Sequence, residues 1–127
     1  LDVDPEPTIV HGDHVQLQQV VLNLLLNAME AIAEGSGGER LIVVRTRNLE
    51  TRTVHVSVQD TGPGLQDGTQ ELVFEPFYTR KPAGLGMGLS IVRLIIEAHG
   101  GVIGVTNNPI CGATFYFTLP WAGYGSG

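Results

Sequence analysis

Apolar positions along the chain alternate between two periods, and each change of period marks an element. Val20, Val21, Leu24, Leu25, Ala28 and Ile32 recur at three- and four-residue spacing, the signature of a helix with an apolar face. Asp13 supplies a cap for its start, with Gln16 as the capping-box partner. Gly35-Ser36-Gly37-Gly38 ends it. The period then falls to two. Leu41 to Asn48 reads as one strand and Thr53 to Asp60 as a second, joined by a turn at Leu49 to Arg52. In the second, Val54, Val56 and Val58 share one side, and His55, Ser57 and Gln59 share the other. Between Thr61 and Gly86 the pattern dissolves into Gly, Pro and scattered charge, with room for a short helix near Gln70 to Phe74. Loops of that length in a compact domain are usually functional. Helical spacing returns at Leu89, Val92, Ile95 and Ile96, within a helix predicted from Gly88 to Ala98 and ended by His99-Gly100-Gly101. Two strands close the pattern, Val102 to Thr106 and Ala113 to Leu119, the latter with Ala113, Phe115, Phe117 and Leu119 on one face. This order predicts an α/β fold, a two-layer sandwich with a mixed sheet. One domain is expected over residues 1–120, opening on a linker-like stretch, Leu1 to Pro7, and followed by a glycine-rich tail, residues 121–127.

A chain of 127 residues is long enough for one domain with a real core. Its net charge of −6 disfavours a nucleic-acid surface as the main role. Cys111 is the only cysteine, which rules out an internal disulfide and fits a reducing compartment. No segment reads as a membrane span or a signal peptide.

Chemistry concentrates at a few positions. By strand parity Asp60 points with Val54, Val56 and Val58 towards the core, where a carboxylate is costly unless it has a partner. It heads Asp60-Thr61-Gly62-Pro63-Gly64, which also suits a plain capped turn. Asn23 and Asn27 lie four apart on a helical stripe beside the apolar face. An amide at 23 is no general base at neutral pH, whereas a neutral amide oxygen at 27 suits Mg²⁺. Gly84-Leu85-Gly86-Met87-Gly88-Leu89 leads into the second helix, whose free N–H groups and dipole favour phosphate. The same glycines also suit a hinge. Lys81, beside Arg80, is either a phosphate contact or a solvated surface charge. Phe74, Pro76, Phe77 and Tyr78 form an aromatic cluster between the two glycine turns, read as packing at the base of the loop or as core filler.

Taken in order, Asn23-Leu24-Leu25-Leu26-Asn27-Ala28, Asp60 with its glycines, the aromatic cluster and the second glycine turn resemble the ATP-binding domain of sensor histidine kinases. That domain belongs to the wider family, the Bergerat fold, that also holds DNA gyrase, heat-shock chaperone and mismatch-repair ATPases. The resemblance covers nearly the whole chain. It implies that Asp60 accepts a hydrogen bond from the adenine amino group, with Gly62 and Gly64 letting backbone approach the base. It implies that Asn27 is the metal ligand, and it adds Ala31, Leu65, Leu85, Met87, Leu89 and Thr114 to the nucleotide site and Lys81 to the phosphates, under a lid from about Leu65 to Leu85. Asn23 stands where ATP-hydrolysing relatives carry a water-activating Glu, so the phosphoryl group is expected to go elsewhere. The cofactors implied are ATP and Mg²⁺. The partners implied are a dimerisation and phosphoacceptor helical domain of the same kinase and a downstream response regulator, with no nucleic acid, no direct membrane contact and a cytoplasmic setting. His11, His14, His55 and His99 all fall within the domain's own elements, so none reads as the phosphoacceptor.

Three departures matter. Many kinases carry an aromatic residue four positions after the metal-binding Asn, and often a Lys before it; here those places hold Ala31 and Glu30. The family's Gly-Thr before the last strand is Gly112-Ala113, and Thr114 has the opposite parity. The short lid, with Lys81-Pro82 before the glycines, is similar to that of nitrogen- and oxygen-responsive sensors. The reading is a histidine kinase catalytic domain. The rivals are a self-sufficient ATPase, a serine kinase of the same fold and a non-catalytic nucleotide-sensing or partner-docking module.

Overall fold

The computed structural model describes residues 14–34, 40–49, 53–65, 72–75, 88–109 and 111–120. Helix α1 spans His14–Glu34 and helix α2 spans Gly88–Ala98. The strands are β1, Ile42–Leu49; β2, Thr53–Asp60; β3, Val102–Asn107; and β4, Ala113–Pro120. A single 3₁₀ turn, Leu72–Phe74, lies between β2 and α2. Each element predicted from periodicity within the described residues is present, displaced by a residue or two at some ends.

The four strands form one sheet in the order β1-β2-β4-β3, with both helices against one face. All three pairings are antiparallel. The two-layer α/β architecture therefore stands, but the parallel pairing that a mixed sheet requires is not among the described strands. The cause is β4. It inserts between β2 and β3, which run in the same direction but do not touch. A β2-α2-β3 crossover that would have made parallel neighbours is split by the last strand.

The core forms between the layers. Val58, Phe115, Phe117 and Leu119 of the sheet meet Val20, Leu24 and Ala28 of α1 and Val92, Ile95 and Ile96 of α2 in one cluster. Phe74 of the 3₁₀ turn packs edge-to-face on Phe115, with ring centroids 6.0 Å apart. Of the two roles open to this aromatic, core packing is the one observed; Pro76, Phe77 and Tyr78 lie outside the described residues. Leu24 is fully buried. Leu24→Ala removes its packing and leaves a cavity, at an expected cost of about 2–5 kcal/mol, measured as a lower urea midpoint at unchanged slope.

Two ends are set by local chemistry. At the close of α2, Gly100 takes φ +79°, its N–H donates to the Glu97 carbonyl (3.0 Å), and Gly101 N–H donates to Ile96 (2.9 Å). This is the Schellman pattern, and the His99 ring bonds the Ile95 carbonyl (2.7 Å), finishing the helix as its position predicts. α1 is apolar beyond its core face: Leu22, Leu26 and Met29 are exposed, beside a cavity of about 470 Å³ lined by Leu17, Gln18, Val21, Leu22 and Leu25.

Candidate nucleotide site

Asp60 ends β2 and is 1% exposed. Its inward direction follows from strand parity, and its burial is compensated. Oδ1 accepts from the Gly62 N–H (2.9 Å) and from the Ala113 N–H (3.3 Å). The carboxylate thus folds the loop after β2 back on itself and ties it to the first residue of β4. Charge-assisted bonds of this kind are among the stronger ones in proteins.

The glycines around Asp60 are required by the protein's own packing and backbone. A side chain at Gly62 would come within 2.6 Å of the Ala31 carbonyl oxygen, so its absence lets the loop lie on α1. Gly64 takes φ +80°, a left-handed conformation that disfavours a side chain. Gly112, at φ +82°, leaves no room for a Cβ, which would overlap the Asp60 carbonyl oxygen. Contacts of the protein with itself therefore require glycine at these places, before any ligand is considered.

The Gly62 contact also locates the helix. Ala31 is buried beneath the loop. Asn27 and Asn23 are one and two turns before it on the same stripe. Asn27 is half-buried, and its amide nitrogen is fully buried with no hydrogen-bond partner among the described residues. A buried polar end left unsatisfied is costly. A ligand can satisfy this amide either way round: a phosphate oxygen would accept from the nitrogen, and a half-turn of the group would offer the oxygen to a cation. The residues present therefore fit a metal-bound phosphate group at Asn27.

Gly88 opens α2 and is exposed, and a Cβ there would meet nothing within 4 Å among the described residues. Unlike Gly62, Gly64 and Gly112, it meets no described atom at a helix N-terminus. Leu89 beside it is half-buried against the core. Lys81, Gly84, Leu85, Gly86 and Met87 lie outside the described residues.

Thr114 has the opposite strand parity to the buried Ala113 and Phe115. Its register partners are Gln59 and Thr106, and its hydroxyl donates to Asn108 Oδ1 (2.6 Å). Leu65 is buried, and both its backbone groups are held by Asn107: its N–H donates to Oδ1 (2.8 Å) and its carbonyl accepts from Nδ2 (2.8 Å). Asn108 Nδ2 donates to the Asp60 carbonyl (3.1 Å). Neither asparagine is marked by the sequence reading. Asn107-Asn108-Pro109 looks like hairpin punctuation, and the groups these side chains hold lie 42 and 48 positions away.

The model of the histidine kinase-, DNA gyrase B- and HSP90-like ATPase family matches residues 12–123. The chain belongs to this family. Within it, the catalytic domain of the histidine kinase ThkA is 37% identical, with a TM-score of 0.79 over 94% of this chain and 75% of that one. The sensor protein FixL of Bradyrhizobium diazoefficiens is 46% identical over 120 residues, 94% of this chain. A structure of ThkA in complex with the response regulator protein TrrA superposes with a TM-score of 0.75 at 35% identity, over 94% of this chain and 32% of that one. The chain is thus a histidine kinase-type ATPase domain, and it spans only 23% of the length of FixL. Among its described residues no helix is long and apolar enough to cross a membrane.

Proposed function

We propose that this domain binds Mg²⁺-ATP and presents the γ-phosphate to a histidine on a separate helical domain, from which a response regulator is served. The observation that carries the reading is the buried Asp60 carboxylate, fixed through Oδ1 at the loop that lies on the Asn23–Asn27–Ala31 stripe. Asp60 accepts from the adenine amino group. Ala31, Gly62, Gly64 and Leu65 form the wall around the base, and Thr114 supports it indirectly through Asn108. Gly88 and Leu89 start the helix whose free N–H groups face the phosphates, and Gly84, Leu85, Gly86, Met87 and Lys81 complete that side. Asn27 holds Mg²⁺, which when bound neutralises phosphate charge. Asn23 offers an amide where hydrolysis would need a base, so the isolated domain positions the nucleotide without activating water. The ThkA complex with a response regulator supports the assignment of that partner. The domain 1–120 works on the cytoplasmic side of a larger sensor, with residues 121–127 as a tail.

The test is to mix the chain with a helical domain bearing an acceptor histidine and γ-labelled ATP. Acid-labile phosphate on that domain is expected. Hydrolysis by the chain alone at ordinary enzyme rates, about 1–10³ per second, would overturn the reading of Asn23, and ATP binding with no transfer would make this a nucleotide-sensing module. Asn27→Ala is expected to remove the Mg²⁺-dependent part of nucleotide affinity, measured by titration with and without the metal. Gly88→Ala separates folding from function at the phosphate side: the open space predicts an unchanged melting temperature and a weaker ATP affinity.

A further inference from the structure

We propose that Asn107 is a base-positioning residue of the nucleotide site, acting through the backbone of Leu65 rather than by touching the ligand. This rests on the reading of Asp60 as the adenine acceptor. The loop from Asp60 to Leu65 is pinned at two places. Near its start, Asp60 Oδ1 takes the Gly62 N–H; at its end, the Asn107 carboxamide takes both the N–H and the carbonyl of Leu65, each at 2.8 Å. Two bonds from one planar group fix the direction of Leu65 as well as its distance.

The two anchors are coupled. Asn107 is the last residue of β3, and its register partner across the hairpin is Ala113, whose N–H donates to Asp60 Oδ1. The end of one hairpin therefore holds the carboxylate by one strand and the far end of its loop by the other. Gly64 completes the fit: the site of its missing Cβ is 3.1 Å from Asn107 Oδ1, so the carboxamide lies against the left-handed turn. Asn107 is an exposed residue at the end of a sheet-edge strand, where an ordinary asparagine would be solvated. Its removal opens no core cavity, so the group's contribution falls on the loop.

The chemistry demands a carboxamide. Leu65 presents one donor and one acceptor, and only a primary amide of this length returns one of each. Aspartate accepts but cannot donate, and sets a negative charge against the Leu65 carbonyl. Leucine has the size and neither group.

The experiment compares the unsubstituted chain with Asn107→Asp and Asn107→Leu, measuring affinity for ATP, GTP and inorganic tripolyphosphate by calorimetry and a thermal melt for each. Both variants are expected to bind ATP about tenfold more weakly, to lose a similar share of their preference for ATP over GTP, and to keep tripolyphosphate affinity within about twofold. General loosening of the structure would weaken all three ligands together, and that result would overturn the proposal. So would unchanged ATP affinity and selectivity. If Asn107→Leu does not fold, Asn107→Asp decides alone, and Asn107→Gln serves as the second variant, with both groups kept on a longer stem and selectivity expected between that of the aspartate variant and that of the unsubstituted chain. An unsubstituted chain that binds tripolyphosphate but shows no preference for adenine would overturn the reading of Asp60, and this inference with it.

Discussion

Replacing Asp60 by Asn is expected to lower ATP affinity by about tenfold to a hundredfold while leaving the fold intact. Asn keeps a carbonyl oxygen where Oδ1 accepts from Gly62 and Ala113, so the loop and the start of β4 stay tied. The other end of the side chain becomes an NH₂ group. In the proposed site it would donate towards the adenine amino group, which also donates, turning an attractive contact into a repulsive one. Losing a hydrogen bond to a charged acceptor costs about 1.5–3 kcal/mol. Guanine carries a carbonyl at that position, which a carboxylate repels and an amide can serve. The preference for ATP over GTP should therefore narrow in the same variant. Calorimetry with both nucleotides decides it, and unchanged ATP affinity in a folded variant removes Asp60 from the site.

Gly112→Ala should produce the largest loss of stability of any single methyl addition near the site. A non-glycine residue in the left-handed region costs about 1–2 kcal/mol, and the φ of +82° at this position is of that kind. The added Cβ would also overlap the Asp60 carbonyl oxygen. Overpacking of this sort costs about 1–3 kcal/mol. The sum is roughly 2–5 kcal/mol, or about 10 °C or more in melting temperature for a domain of this size. Relief requires Gly112 and Asp60 to separate, which pulls the Ala113 N–H away from Oδ1 and weakens ATP binding in the fraction that stays folded. A melt within about 2 °C of the unsubstituted chain would show that the turn can relax without cost.

Much of this arrangement was legible in the residues, and what was not has a common cause. Alternation in Val54, Val56 and Val58 was enough to send Asp60 inward, and the structure buries it. The spacing of Asn23, Asn27 and Ala31 put them on one stripe, and the Gly62–Ala31 contact brings that stripe to the loop. His99-Gly100-Gly101 carried its own stop signal because a Schellman cap is local. By contrast, the crowding at Gly62 and Gly112 could not be read from the residues. It comes from Ala31 and Asp60, respectively, which stand far from them in sequence. Asn107 could not be found at all, since its partner stands 42 positions back. The hydroxyl of Thr114, assigned to the nucleotide by resemblance, donates to Asn108, a partner its position alone does not reveal. The antiparallel pairing of the described strands could not be read, because periodicity identifies strands without ordering them.

That order has a consequence for how the protein comes into being. The strand between β2 and β3 in the sheet is β4, which follows both of them in sequence. Until it emerges, β2 and β3 each present an unpaired edge, and the inner faces of Phe115, Phe117 and Leu119 are missing from the core. Pairings between β2 and β4 span about half the chain, a non-local contact of the kind that slows folding. The same strand delivers the Ala113 N–H to Asp60. A nascent or truncated chain that stops short of residue 113 thus carries every residue of the Asn23–Asn27–Ala31 stripe and Asp60 itself, yet lacks the strand that orders them. The carboxylate and its anchoring strand come together only when β4 joins the sheet, so the order around Asp60 is a late product of folding.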